Sequence, residues 1–216
     1  SQATLEFYAA QVAKVMGFEH IDYDLEEFHH QNGEREVVST CKLFTSENVG
    51  FVDGYTFLMQ KGFDVDNAIL EDPLTQLKIS GLVASEQYED MVLFDSIIAN
   101  QDRHLGNWGV LVDNDTGEFL KVAPIFDNGF SLFYGASNAD LQSSHHADYK
   151  NSLRCKYLSL DDQARLFVGK RHLPSLRKLL EFRFERHPKY NIAEETLQLM
   201  EAFVRERAQK TFVPYK

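Results

Sequence analysis

The succession of patterns between residues 85 and 129 limits this chain more than any other feature. The run "SEQYEDMVLFDSIIANQ" predicts a helix with Met91, Phe94, Asp95, Ile97 and Ile98 sharing much of a buried face. The polar run Asp102-Arg103-His104-Leu105-Gly106-Asn107 comes next. Then "WGVLVDNDTGEFLKVAPIFD" predicts two short strands joined by the turn Asn114-Asp115-Thr116-Gly117. A β-hairpin folds its two ends back together, so Asp127 is expected to return beside the loop that carries Asp102 and Asn107. Two carboxylates and an amide then meet at one edge. Magnesium favours such hard oxygen ligands and commonly keeps waters and substrate phosphates in its shell.

Chemistry separates the roles. A carboxylate that accepts a proton from an attacking hydroxyl must face the substrate, whereas a carboxylate and an amide oxygen that hold a metal must face the nucleotide. The spacing D-x-x-x-x-N, followed by strand-turn-strand and D-x-G, is the arrangement of kinase catalytic loops and their metal-binding Asp. Asp102 fits the first role, and Asn107 with Asp127 the second. Taken singly, Asp102 and Asn107 have a plainer reading as loop and cap residues, and Asp127-Asn128-Gly129 as a turn. Their joint order and context carry the kinase reading.

Around this core the chain is mixed. "ATLEFYAAQVAKVM" predicts an amphipathic helix on Leu5, Tyr8, Ala9, Val12 and Val15-Met16, closed by Gly17. "HIDYDLEEF" and "REVVSTCKLF" predict a hairpin around Asn32-Gly33. "TSENVGFVDGYTFLMQKGFD" has no clear period, while "LTQLKISGLV" after Pro73 is helical. Residues 135 to 152 suggest a long loop, and "LDDQARLFVGK", "LPSLRKLLEFRFERH" and "NIAEETLQLMEAFVRERAQK" are helical in pattern.

Composition excludes several classes of function. A net charge of -11 argues against direct nucleic-acid binding, yet an acidic protein still handles phosphates when a divalent cation intervenes. No run approaches the ~20 apolar residues that cross a bilayer, and the beginning lacks a signal-peptide layout, so the expected compartment is the cytoplasm, away from membranes. Cys41 and Cys155 lack zinc-ligand spacing. The pairs His29-His30 and His145-His146 are read as exposed loop histidines, and Trp108 as core.

The segments "NQDRHLGNWGV" and "APIFDNGFSL" resemble the catalytic core of HipA-like bacterial Ser/Thr protein kinases, in which the Asp of a D-x-H-x-x-N loop is the base. "EFYAAQVAKVMGFEHIDYDLEEF" and "VSTCKLFTSENVGFV" are similar to the helix and hinge strands of the same family. The order DRHLGN also resembles phosphoinositide kinases and their relatives, and differs from the H-R-D order of ordinary protein kinases.

The resemblance implies an α+β, protein-kinase-like fold with a partial, β-containing N-terminal lobe over residues 1 to 44 and a mostly helical C-terminal lobe over 45 to 216. It implies ATP and Mg2+ as cofactors and a protein substrate phosphorylated on Ser/Thr hydroxyls. Asp102 would be the base, Asn107 and Asp127 the metal ligands, and His104 a loop-shaping residue packed under the site. Glu6 would pair with a lysine that holds the nucleotide phosphates, Cys41, Leu43 and Phe44 would form the hinge that meets adenine, and the loop 135 to 152 would replace an activation segment.

A Gly-rich loop and a strand lysine ahead of the Glu-bearing helix complete such a kinase. Neither is among these residues, and Lys42 follows that helix instead of preceding it. A shortened protein, a front lobe supplied by a partner chain and a loss of phosphoryl transfer all fit. So do a pseudokinase or toxin-antitoxin module with an antitoxin partner, and a lipid or small-molecule kinase, although no basic membrane-facing stretch supports a lipid substrate. Glu6 on its own has a plainer reading as part of a solvated helix face.

Overall fold

The computed structural model describes residues 1–136 and 158–212. Its first helix, α1 (Gln2–Met16), starts where the Ser1 hydroxyl accepts the Thr4 N–H and stops at Gly17, whose φ of 75° suits a residue without a Cβ. The helix buries Leu5, Tyr8, Ala9, Val12, Ala13 and Met16. Strands β1 (Tyr23–His29) and β2 (Arg35–Cys41) form the expected antiparallel hairpin, Tyr23 opposite Cys41 and His29 opposite Arg35. Helix α1 packs against this hairpin on one side and against the rear helices on the other.

The aperiodic stretch after Thr45 holds structure that the pattern did not announce: β3 (Val49–Asp53) running straight into α2 (Gly54–Gln60). Every β3 residue is half-buried, so no inside-outside alternation marks the strand. Its partners lie far downstream, in a three-stranded sheet ordered β3-β4-β5 with β4 (Gly109–Asp113) and β5 (Phe119–Val122). At the junction Asp53 caps α2 by accepting the Thr56 N–H at 3.0 Å. Gly54 is required there, because a Cβ at this position would lie 2.4 Å from the Trp108 ring.

Helix α3 (Pro73–Val83) precedes α4 (Glu86–Ile98), which buries nine of its 13 residues. The five residues expected on its buried face are buried, and so are Tyr88, Val92, Leu93 and Ser96. Helix α4 is enclosed on nearly all sides, by α1, α3, α5 (Leu160–Phe167) and α7 (Glu194–Phe212). One expectation fails here: α6 covers only Leu173–Leu179, and the chain beyond it is not helical. Phe182 and Phe184 are both buried, an alternation of period two hidden in "EFRFER", and the buried Glu201 carboxylate accepts the Phe184 N–H at 3.0 Å. The loop 135 to 152 lies almost wholly outside the described residues, as do His145 and His146. Among the described residues no helix is long and apolar enough to cross a membrane.

Candidate active site

Helix α4 ends at Ala99 in a left-handed turn (φ 54°), and the Asn100 N–H returns to the Asp95 carbonyl at 3.0 Å. The next residues form a compact loop. The Asn100 side-chain oxygen accepts the Asp102 N–H, and the Asp102 carbonyl accepts both the His104 N–H at 2.8 Å and the Asn107 Nδ2–H at 2.9 Å. This last bond orients the Asn107 amide: its nitrogen is occupied inside the loop, so its oxygen is the atom left for a metal or a phosphate-bound water.

Arg103, only 1% exposed, holds the loop to its surroundings. Its guanidinium grips the buried Asp95 carboxylate through Nε and Nη2 at 2.9 and 3.0 Å. It also donates to the carbonyls of Asn107 and Phe126 at 2.6 and 2.5 Å and to the Asn128 side-chain oxygen at 2.6 Å. A planar fork with five N–H groups suits this work, binding helix, loop and returning strand in one plane.

The expectation for His104 is thereby corrected. Its side chain is exposed and is not packed beneath the site. It accepts the Gly106 N–H at 3.0 Å at the surface, because the buried position is taken by Arg103, which alone can satisfy so many acceptors at once.

From the other side comes the segment after β5. Ile125 N–H donates to the Glu19 carbonyl at 2.8 Å and Ile21 N–H to the Ile125 carbonyl at 2.9 Å, a short parallel ladder that ties the entry to β1 to the Asp127 turn. Asp127 itself has φ 53°, a left-handed conformation that Asp adopts more readily than most residues.

Glu6 faces this turn and is buried, unlike a residue on a solvated helix face. Its Oε1 accepts the N–H groups of Asn128 and Gly129 at 2.8 and 2.9 Å, while Oε2 is buried without a hydrogen-bond partner. A cavity of about 450 Å³ opens here, lined by Glu6, Val38, Ser39, Asp127, Gly129 and Tyr134 among others.

Electrostatics follow from that packing. Burial pushes the Glu6 carboxyl up to about 7, helped by the nearby Asp127 charge and opposed by the two backbone N–H groups and Arg103. Burial likewise raises Asp127, and the neighbouring Asp102 adds to the shift while Arg103 and His104 oppose it. Burial therefore disfavours the ionised form of both carboxyls, and a cation placed beside them would favour it.

Among the described residues no three His, Cys, Asp or Glu side chains form a ready-made metal cage. The Asp127 carboxylate and the Asn107 amide oxygen nevertheless suit Mg2+, which takes one or two protein carboxylates and completes its shell with water and phosphate.

The hinge residues stand elsewhere. Cys41, Leu43 and Phe44 line a separate cavity of about 730 Å³ shared with Phe7 and the stretch from His20 to Asp24, and none of its lining residues also lines the first cavity. The two regions are linked by ring contacts: Phe44 stacks on Phe126 at 5.5 Å, and Phe51 meets both edge-on.

Sequence reasoning gave no role to Arg103, Asn128 or Tyr23. The signal for Arg103 was present, since a lone acid, Asp95, on an otherwise apolar helix face requires a buried cation.

No protein-family model matches the chain. The serine/threonine-protein kinase CtkA of Helicobacter pylori strain J99 is 32% identical over 116 residues, which is 50% of this chain and 35% of CtkA. The chain thus covers about a third of the length of that curated relative. Among solved structures, the H. pylori proinflammatory kinase CtkA matches with a TM-score of 0.70 at 18% identity, over 98% of this chain and 83% of that one. Shewanella oneidensis HipA, solved with HipB and its operator DNA, matches with a TM-score of 0.52 at 14% identity, over 95% and 55%.

Proposed function

Sequence kinship with CtkA and the fold shared with CtkA and HipA support placing this chain in the HipA-like kinase family, and from that premise we propose that it serves ATP- and Mg2+-dependent phosphoryl transfer to Ser/Thr hydroxyls of a protein substrate. The observation that carries the reading is the convergence of Asp127, the Glu6 carboxylate and the Asp102–Asn107 loop around the buried Arg103, which gathers at one place the oxygen donors that a hard cation takes.

Asp102 takes the proton of the attacking hydroxyl. Its placement is fixed by its own N–H on Asn100 and by its carbonyl on Asn107. Asn107 and Asp127 would hold Mg2+, which would supply positive charge to the nucleotide phosphates at this site. Glu6 does two things: Oε1 fixes the backbone that follows Asp127, and the unpartnered Oε2 is the natural acceptor for a lysine that steadies the phosphates. The cavity beside Glu6 and β2 is where those phosphates would lie, with Cys41, Leu43 and Phe44 toward adenine. His104, at the surface, shapes the loop by holding the Gly106 N–H.

A protein partner, cytoplasmic residence and the absence of direct nucleic-acid binding belong to the same proposal. The first is suggested by the HipB seen with the HipA relative, the others by the chain's acidity and apolar profile.

Transfer of labelled γ-phosphate from ATP to a protein acceptor tests the reading. Asp102→Asn is expected to lower the rate by about 10²- to 10⁴-fold while Mg-ATP still binds, and Asp127→Asn to lose both transfer and metal-dependent binding. Transfer at the wild-type rate by either variant would refute it.

A further inference from the structure

We infer that Tyr23, the first residue of β1, is a positioning residue for Asp127: its phenolic oxygen accepts the Asp127 N–H at 3.2 Å and so holds the metal-binding carboxylate in its left-handed turn. This deepens the proposed function and rests on Asp127 being a metal ligand.

The ladder between the two segments supports the assignment. Two rungs are backbone to backbone, Ile125 N–H to Glu19 and Ile21 N–H to Ile125. Continuing a parallel ladder, the next N–H, that of Asp127, would seek the Ile21 carbonyl. Asp127 instead turns into the left-handed region, and a side chain supplies the acceptor in place of the backbone ahead of β1.

A non-glycine residue held at positive φ persists only where its surroundings impose it. Around Asp127 those surroundings are Tyr23 on its own N–H, Glu6 on the next two N–H groups and Arg103 on the preceding carbonyl. Of these, Tyr23 bonds to the N–H of Asp127 itself and belongs to the hairpin. Burial keeps the phenol protonated, so it brings no added charge to an already acidic site. Because Tyr23 also lines the larger cavity beside Cys41 and Phe44, a ligand there would press on the same ring that sets Asp127.

Tyr23→Phe removes one oxygen and leaves the ring. Uptake of Mn2+ in the presence of a non-hydrolysable ATP analogue, followed by loss of the free-ion electron paramagnetic resonance signal, is expected to weaken about five- to tenfold in the variant, the equivalent of one ordinary hydrogen bond. The thermal midpoint should fall by no more than a few degrees, and hydrogen exchange at the Asp127 amide should speed up about tenfold. Equal Mn2+ affinity in a folded variant, or unchanged exchange at Asp127, overturns the positioning role. If the wild type takes up no Mn2+, the metal reading falls, and exchange at the Asp127 amide in the metal-free protein still decides whether Tyr23 holds it.

Discussion

Replacing Glu6 with glutamine tests the electrostatics of the site through stability alone. The native fold buries this carboxyl and moves it from an ordinary 4.5 to about 7. A raised folded-state value means that the native protein holds the proton more tightly than the unfolded chain does. The stabilisation from that proton is complete below pH 4.5 and is lost as the pH rises through about 7. At 1.36 kcal/mol for each tenfold change, the gap corresponds to roughly 3 kcal/mol, most of it lost between pH 5 and pH 8.

Glutamine keeps an oxygen for the Asn128 and Gly129 N–H groups but cannot ionise. Urea unfolding at pH 5 and pH 8 should therefore show the wild type losing about 2–3 kcal/mol more than Glu6→Gln across that interval. If the two stabilities fall in parallel, the buried carboxyl does not titrate as described and the account of Glu6 is wrong.

Arg103→Met should be severe. It leaves the Asp95 carboxylate buried without its guanidinium, and strips the donor from Asn107, Phe126 and Asn128. A loss of about 3–5 kcal/mol, seen as a thermal midpoint lower by roughly 10 °C, is expected, and Asp95→Leu in the same chain should restore part of it. Gly54→Ala forces a methyl group against Trp108 and should cost about 1–3 kcal/mol by denaturant unfolding, with no matching effect from Gly81→Ala, where a Cβ meets nothing.

The grouping of Asp102, Asn107 and Asp127 was legible because its parts are local. Asp102 and Asn107 are joined by a hydrogen bond within one loop, and Asp127 returns on a hairpin whose turn was marked by Asn114 to Gly117. What stayed hidden depends on distant partners. Arg103 looked like one more polar loop residue, since its acceptors come from α4 and from the turn around Asp127. Strand β3 exists because β4 is there to pair with it, and its own residues, half-buried throughout, show no period. The stretch after α6 looked helical because "LLEFRFER" supports both periods, and Glu201 on α7 settles the choice by taking the Phe184 N–H. Tyr23 fell within a predicted strand, where an aromatic residue is expected for packing, and nothing local hints that its hydroxyl meets Asp127.

The most direct test of the central claim is a calorimetric titration of the protein with ATP, once in Mg2+ and once in EDTA, with Asp127→Asn alongside. Asparagine tolerates the left-handed turn, so the variant should fold and isolate the loss of the carboxylate. Binding that requires Mg2+ and weakens at least about tenfold in Asp127→Asn is the predicted result. ATP binding of equal strength with and without the metal, or equal in both proteins, would contradict the assignment of Asp102, Asn107 and Asp127 to phosphoryl transfer.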